Sequence, residues 1–449
     1  MLDKIKKTID LIKSIDIDAL QKLNEKVDLK QLMESVGALS DDQLKGVVHL
    51  LKNANKKHEV PPIDADFYDI GDKLSADDRA LQLKVRAFME KEIAPIVNEY
   101  WLHDEFPKEI IPKLAELNIA GLSFKGYGCA GKSSLLEGII ACELARVDAS
   151  IATFFGVQGG LCMGSIYTCG SEEQKQKWLP QLQQFQKIGA FGLTEPEVGS
   201  GAAGGLTTTC EKTENGWVLN GQKKWIGNAT FADIVIIWAR DVADNQVKGF
   251  IVETTTEGFS VEKIKDKMAL RIVQNGLITM KDCIVQEENR LPNANSFKDT
   301  AKVLQATRAG VAWMAVGCAR GAYENALAYT TQREQFGKPI AAFQLIQNHL
   351  VEMLSNLTAM QTMVFRLSEL QDQGKLKDEH ASLAKVFCTL RTRDIVSRAR
   401  EVMGGNGILL EYNVARFLAD AEAIYSYEGT KEINSLIVGR SITGFSAFV

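Results

Sequence analysis

The apolar pattern of this sequence changes twice along the chain, and these two changes restrict the fold more than any other feature. From about residue 75 to 185, apolar residues recur at the spacing of amphipathic helices. Between about 188 and 292, glycine clusters separate short β-branched runs such as residues 233–238. After Pro292 the helical spacing returns over long stretches with few helix breakers. Helices, then strands, then helices predict an α+β protein with segregated layers.

These changes divide the chain into four parts. Residues 1–65 are predicted to be a helical N-terminal extension and a linker, because the helical spacing gives way there to a proline pair. Residues 66–187 are predicted to be an N-terminal helical domain, residues 188–296 a middle β domain, and residues 297–449 a C-terminal helical bundle. A chain of 449 residues has room for several domains.

Charge and cysteine usage narrow the classes of function. A net charge of -5 gives no general attraction to nucleic acid. The eight cysteines form no CxxC pair and no Cys/His cluster with metal-ligand spacing, so we expect reduced thiols and no metal. The sequence offers no run of about 18–20 uninterrupted apolar residues, and its N-terminal lysines alternate with aspartates. We therefore expect a cytoplasmic protein with neither a membrane span nor a targeting peptide.

A glycine-rich loop, FGLTEPEVGSGAAGGLTTT, occupies residues 191–209 beside the predicted strands. Glycine removes the side chain that would keep a ligand from the backbone, so N–H groups here can approach a diphosphate or a flat ring. A second segment, residues 221–240, places Trp225 before a turn and an apolar strand. Its indole can cover a ring system, although, taken alone, the two segments are more typical of an ordinary turn and a core tryptophan.

Two C-terminal segments add polar candidates. Arg333 precedes two helix breakers, and a guanidinium in that position is a good diphosphate ligand or a surface ion-pair partner. Residues 401–445 contain a glycine cluster and then the sequence YEGTKE, in which Thr430 is predicted to cap a helix. Glu428 lies just before that helix and is either a solvated carboxylate or a catalytic one.

In this order, the four segments resemble the acyl-CoA dehydrogenase and oxidase family from about residue 75 to the C-terminus. Within the family, the sequence is similar to glutaryl-CoA dehydrogenases and plant short-chain acyl-CoA oxidases through KGYGCAG, CELARVDAS, AAFQLIQ and YEGTKEINSLIVGRSITGF. The resemblance implies an N-terminal helical domain, a middle β-barrel or sandwich domain and a C-terminal four-helix bundle. It also implies a homotetramer that binds FAD. Residues 1–65 lie outside the resemblance.

The resemblance assigns residues to the cofactor and the substrate. It implies that the 191–200 loop and the strand end at Trp225 hold FAD, and that a neighbouring subunit contributes Arg333, Gln344 and residues 401–405. The implied FAD contacts are Phe191, Leu193, Thr194, Gly199, Ser200, Trp225, Ile226, Gly227, Arg333, Gln344, Glu401, Gly404, Gly405 and Thr430. The implied contacts with an acyl-CoA substrate are Ser200, Arg308 and Gly429.

Glu428 matches the family's catalytic base. The α-proton of a thioester is weakly acidic, so its removal needs a base within hydrogen-bond reach and donors for the developing enolate oxygen. The resemblance implies that the β-hydride passes to the flavin and that the product is a trans-2-enoyl-CoA, as in fatty acid β-oxidation. We expect burial to raise the pKa of Glu428 against the helix that begins near Thr430. Some members place the base beside the position that Arg308 resembles, where this chain has Thr307.

Three departures from the family pattern bear on the site. Ala152 stands about where glutaryl-CoA dehydrogenases have an arginine that holds the distal carboxylate, so we expect a short acyl group without a second carboxylate. Gly201 replaces a common aspartate. Gly227 replaces a threonine or serine whose hydroxyl often approaches the flavin, which removes one flavin hydrogen bond unless a backbone N–H takes its place.

Two alternatives remain beside a dehydrogenase that passes electrons to an electron-transfer flavoprotein. An acyl-CoA oxidase would share every residue named above and would differ in oxygen access to the reduced flavin. A non-catalytic flavin-binding scaffold on the same fold would not need Glu428.

Overall fold

The computed structural model describes residues 40, 60–63 and 65–447. The predicted helices of the N-terminal extension lie outside the described residues. The fold after them has the predicted order of a helical domain, a β domain and a helical bundle, so the α+β class is confirmed.

The N-terminal domain consists of short helices, several of which are capped by a side chain in the first turn. Ser133 and Asp148 accept hydrogen bonds from backbone N–H groups three residues ahead, and Ser171 forms a capping box. The two-stranded sheet of this domain is β1 Lys125–Gly126 and β2 Cys129–Ala130. The helices are α1 Ala76–Phe88, α2 Val97–His103, α3 Ile110–Ala115, α4 Ser134–Val147, α5 Ala149–Gly156, α6 Gly164–Cys169 and α7 Glu172–Gln183.

A π-helical segment, Val157–Met163, joins α5 and α6 into one helical stretch, Ala149–Cys169. This stretch of 21 residues carries no charged side chain and is long enough to cross a membrane, and its most apolar part has a mean hydropathy of 1.3. Of its most apolar part, 78% is buried inside the protein. A buried core helix meets the same criteria of length and composition, so this stretch is weak evidence for a membrane span.

The middle domain is a seven-stranded sheet. The strands are β3 Gly189–Gly192, β4 Thr209–Thr213, β5 Gly216–Ile226, β6 Ile234–Asp241, β7 Val247–Glu253, β8 Phe259–Lys263 and β9 Gly276–Val285, and a short helix, α8 Ala202–Gly205, follows β3. The strand order is β3-β6-β4-β5-β9-β8, and β7 pairs with β6. Strand β6 is buried at every position from Ile234 to Ala239, as expected for a strand covered on both faces.

The C-terminal domain packs long helices around a core of small and aliphatic residues. A Cβ atom at Gly317 would lie 2.4 Å from the carbonyl oxygen of Cys142 on α4, so glycine is required for the close approach of the two helices. The helices are α9 Phe297–Gln332, α10 Gln344–Asp372, α11 Asp378–Val402, α12 Val414–Ser426 and α13 Lys431–Thr443, and a hairpin of β10 Glu334–Gln335 and β11 Lys338–Pro339 follows α9.

A buried ion pair connects the N-terminal and C-terminal domains. Asp148 is fully buried, accepts the N–H of Ile151 at 2.9 Å and accepts Nη1 of Arg416 at 2.5 Å. Asp420, one turn after Arg416 on α12, accepts the N–H of Leu270 from the β domain at 2.6 Å. Burial raises the pKa of Asp420 to about 7, and the charge of Asp148 adds to this effect. Side chains of α12 therefore contact both other domains.

We predict that Arg416→Met destabilises the fold strongly. The substitution leaves the carboxylate of Asp148 buried without its ion-pair partner, which costs about 3–5 kcal/mol in comparable proteins. Urea unfolding followed by circular dichroism measures this loss. Arg393→Met is the matched control, because Arg393 pairs with Glu422 at the surface and such pairs contribute about 0–1 kcal/mol. Equal losses in the two variants would contradict the role of the buried pair.

Candidate active site

A strained turn between α12 and α13 presents Glu428. Glu428 has a φ of 54° and Gly429 a φ of 89°, and a left-handed conformation costs a non-glycine residue about 1–2 kcal/mol. Thr430 caps α13 by accepting the N–H of Ile433 at 3.3 Å, as predicted. The turn directs the carboxylate of Glu428 toward α9, where the hydroxyl of Thr307 donates to Oε2 at 2.6 Å.

Burial and the neighbouring polar and charged groups have opposite effects on the pKa of Glu428. Burial raises the pKa of Glu428 above its ordinary value, while the hydroxyl of Thr307 and the charges of Arg308 and Lys385 oppose the increase. Arg308 itself donates to Asp378 at the start of α11. The net result is a carboxylate that is a stronger base than an exposed one and is oriented by a hydrogen bond.

A buried ion pair supports the glycine-rich loop from below. Glu195 is 2% exposed and accepts the N–H of Thr207 at 2.7 Å and the N–H of Thr208 at 2.9 Å. It also accepts Nζ of Lys223 at 2.8 Å, and Lys223 donates to the carbonyl of Leu193 at 3.0 Å. Burial raises the pKa of Glu195, but the Lys223 ammonium and the Thr207 donors outweigh burial and hold this pKa at about 2.

The outer part of the loop is open to ligands. No atom of the described residues lies within 4 Å of a Cβ atom placed at Gly199 or Gly204, and Ser200 is exposed. Thr194 is half-buried, and its carbonyl accepts the N–H of Lys224 at 2.8 Å, which fixes the loop to the end of β5. The loop is therefore held at its base and accessible at its tip.

Trp225 is a surface residue and not a core residue. It lies at an irregularity of the β5–β9 pairing between Lys223 and Ile226, has a φ of 66° and is 54% exposed. A bulge of this kind re-aims a side chain away from the sheet. Asn275 donates to the carbonyl of Trp225 at 3.2 Å. An exposed indole beside an open glycine loop suits a flat ring. The predicted contacts Phe191, Leu193 and Ile226 are buried.

The packing at Gly227 explains why glycine replaces the threonine or serine that the family pattern has at this position. A Cβ atom at Gly227 would lie 3.1 Å from a methyl of Val157 in the π-helical segment, which leaves little room for a threonine or serine. The next residue, Asn228, is buried and donates to the carbonyls of Phe154 at 3.3 Å and Gly189 at 3.2 Å. The strand end that carries Trp225 is thereby fixed against the helical stretch Ala149–Cys169.

The same helical stretch contacts the surroundings of Glu428 from its other side. A Cβ atom at Gly160 would lie 3.3 Å from the methyl of Thr307, and one at Gly156 would lie 3.9 Å from the sulfur of Met314. The hydroxyl of Tyr427, next to Glu428, lies 3.9 Å from that sulfur. Small residues on this helix therefore face the side chains around Glu428.

The remaining predicted contacts form a second group at one end of the bundle. A hydrogen bond of 2.9 Å joins Asn406 to Tyr329, and His349 lies 3.8 Å from Glu401. Among the described residues, no hydrogen bond or ion pair connects this group with the 191–200 loop or Trp225. The exposed members of the group are Arg333, Gln344, Glu401, Gly404 and Gly405.

Comparison with known proteins identifies the family. Models of the N-terminal, middle and C-terminal domains of acyl-CoA dehydrogenases match residues 75–186, 190–283 and 297–443. The chain belongs to the acyl-CoA dehydrogenase family. It is therefore an oxidoreductase and a flavoprotein, and its cofactor is FAD. The open loop and the exposed Trp225 fit a flavin and its diphosphate.

Three relatives illustrate the similarity. The short-chain specific acyl-CoA dehydrogenase of Megasphaera elsdenii is 35% identical over 363 residues, 79% of this chain and 95% of that protein. Subunit CarC of the caffeyl-CoA reductase-Etf complex of Acetobacterium woodii is 33% identical over 370 residues, 81% of this chain and 97% of that protein. A glutaryl-CoA dehydrogenase of Mycobacterium smegmatis, solved in complex with FADH2, has a TM-score of 0.83 at 34% identity and covers 85% of this chain and 98% of its own. The resemblance to plant oxidases stays a prediction.

Two residues that the sequence did not single out belong to this site. Lys223 supports the glycine-rich loop, and Lys385 donates to the carbonyl of Gly429 beside Glu428 at 2.6 Å. Lys385 stands alone among apolar neighbours in the helical sequence ASLAKVF, which was a usable signal.

We predict that Glu195→Gln destabilises the enzyme and weakens its retention of FAD. The variant leaves the Lys223 ammonium buried without a carboxylate, at a loss of about 3 kcal/mol. The lowered pKa of Glu195 stabilises the fold above its unfolded value of 4.5, and this contribution disappears as the pH falls from there through about 2. Unfolding by urea at several pH values measures both effects.

Glu197→Gln is the matched control for this prediction. Glu197 is exposed in the same loop, so we expect an unchanged free energy of unfolding and full FAD content. Equal FAD content and equal stability in both variants would contradict the supporting role of Glu195.

Proposed function

We propose that this enzyme oxidises a short-chain, non-dicarboxylic acyl-CoA to the trans-2-enoyl-CoA, with Glu428 as the base. The observation that carries the proposal is the left-handed turn that directs the Glu428 carboxylate into a partly buried space beside Thr307. The carboxylate takes the α-proton, the β-carbon gives up a hydride and the double bond forms between these carbons. FAD, when bound, supplies the acceptor for the hydride.

The surroundings of Glu428 suit this role. Burial gives the carboxylate a raised pKa, and the Thr307 hydroxyl holds one of its oxygens in place. Because the base acts in its ionised form, turnover is expected to rise with pH through the pKa of Glu428. Ser200, Arg308 and Gly429 are proposed contacts of the acyl-CoA, and Arg308 is held by Asp378 at the start of α11.

The preference for an uncharged acyl chain rests on the helical stretch Ala149–Cys169. Ala152 is 2% exposed, and the stretch offers no cation to a second carboxylate. An unpaired carboxylate moved out of water costs several kcal/mol, on the order of the penalties measured for buried charges. The short-chain specificity named for the Megasphaera relative supports a short acyl group.

The electron acceptor and the assembly are also proposed. The CarC relative works in a complex with an electron-transfer flavoprotein, which supports the same kind of partner for this enzyme. We further propose a homotetramer in which the bundle end around Arg333 completes the FAD site of a neighbouring subunit. Support comes from the exposed apolar side chains beside that end, with Phe336 93% and Leu345 79% exposed.

We predict that Glu428→Gln lowers kcat by about 10²–10⁴-fold, the range that a lost general base produces. FAD content and the KM for acyl-CoA should change little, because the amide has the shape of the carboxylate. Stopped-flow reduction of the flavin by substrate measures the chemical step. Glu422→Gln, at the surface of α12, is the control and should retain turnover. Wild-type turnover of Glu428→Gln across the pH range would contradict the proposal that Glu428 is the base.

We predict that short-chain acyl-CoAs bleach the flavin of the anaerobic enzyme and that glutaryl-CoA does not. Absorbance spectroscopy with a panel of acyl-CoAs of increasing chain length measures the preference. Admission of air then tests the acceptor, since persistent bleaching indicates a dehydrogenase and rapid recovery with peroxide indicates an oxidase. Efficient bleaching by glutaryl-CoA would overturn the predicted exclusion of dicarboxylic substrates.

A further inference from the structure

Lys385 lies on α11 with its ammonium inside the protein. The residue is 1% exposed. Its Nζ donates to the carbonyl of Gly429 at 2.6 Å and approaches that of Tyr425 at 3.4 Å. In the described part of the chain, no carboxylate forms an ion pair with it within 4 Å. A buried ammonium without a direct counter-ion disfavours folding, so the packing of the fold does not explain this residue.

The two carbonyls that Lys385 faces lie on either side of Glu428. Tyr425 belongs to the last turn of α12, where carbonyls lack helical partners and attract a cation. Gly429 immediately follows Glu428, and its carbonyl also accepts Nδ2 of Asn434 at 2.8 Å. Lys385 and Asn434 thus hold the carbonyl that fixes the left-handed turn.

The other charged groups near this turn come from α11 itself and from two further helices, α9 and α13. Arg308 on α9 is paired with Asp378, and Glu432 lies in the first turn of α13. Burial raises the pKa of the Tyr427 phenol well above its ordinary value, so the phenol stays neutral.

The pKa of Lys385 depends on its burial and on the charges of Glu428, Arg308 and Glu432. Burial lowers the pKa of Lys385 to about 8, against the charge of Glu428, so Lys385 is an ammonium below that pH.

We propose that Lys385 is a positioning residue for the catalytic base: its ammonium holds the Gly429 carbonyl, keeps the turn in its left-handed conformation and favours the ionised form of Glu428. The inference rests on the proposed role of Glu428. Lys385 touches neither substrate nor cofactor in this scheme. A purely structural lysine would affect stability but would not change the pH at which the base becomes active.

The test is Lys385→Met in the FAD-loaded enzyme. Methionine keeps an unbranched apolar side chain and removes the charge and the donor. We expect kcat to fall by about 100-fold, as for a catalytic group displaced by an ångström, with little change in KM. The loss of a nearby positive charge raises the pKa of Glu428, so the acid limb of the kcat profile should move to higher pH. Lys385→Arg should restore the position of that limb.

Lys267→Met is the matched control. Lys267 also donates to backbone carbonyls, those of Leu270 at 2.8 Å and Val273 at 2.6 Å, and burial also lowers its pKa to about 8. This variant should lose stability without moving the acid limb. If Lys385→Met fails to fold, Asn434→Leu removes the other donor to Gly429 and should lower kcat without moving the limb.

The outcomes separate this inference from the proposed function. Wild-type kcat and an unmoved acid limb in folded Lys385→Met would overturn the positioning role, as would wild-type kcat in Asn434→Leu. If Glu428→Gln is inactive in either case, the proposed base stands and only the role of Lys385 fails. If Glu428→Gln retains turnover, the proposed base fails first.

Discussion

The relative position of the three domains depends on the buried carboxylate of Asp148. One of its oxygens caps the helical stretch Ala149–Cys169, and the other binds Arg416 of the C-terminal domain. That stretch then packs against the strand end at Gly227 on one side and against Thr307 on the other. Because interiors are close-packed, a shift at Asp148 would be transmitted along the stretch to both halves of the site. A charged residue deep in the protein thus serves the geometry of the active site.

Buried lysines recur where the backbone departs from regular structure. Lys223 donates to the carbonyl of Leu193 in the glycine-rich loop, and Lys385 donates to that of Gly429 in the turn at Glu428. Carbonyls in such segments lack the partners that a helix or sheet provides, and an unmet buried carbonyl is costly. An ammonium with three donors satisfies them over a long reach. At pH values below the ordinary pKa of lysine, burying the ammonium lowers the stability of the fold. Its hydrogen bonds fix the conformation of the loop or turn.

The order of helical and β domains could be predicted from the sequence because helical and strand patterns are properties of local sequence. Thr430 could likewise be predicted as a helix cap, because capping depends on a few neighbouring residues. The local sequence could not predict the exposure of Trp225, because the bulge that turns its side chain outward arises from pairing with a distant strand. The contact of Thr307 with Glu428 spans 121 residues, and neither sequence segment indicates it. Long-range packing therefore decided what local patterns left open.

The contact between Thr307 and Glu428 gives a physical reason for the two base positions that the family resemblance implies. Members that place the base on the first bundle helix would use the position of Thr307, whose hydroxyl here lies 2.6 Å from the Glu428 carboxylate. Both positions therefore face the same point in space. Proton abstraction requires a carboxylate within hydrogen-bond reach of the α-carbon, and either backbone position can supply it. Two carboxylates at this distance would repel and raise one pKa strongly, so a threonine beside Glu428 leaves the proposed base with one defined orientation.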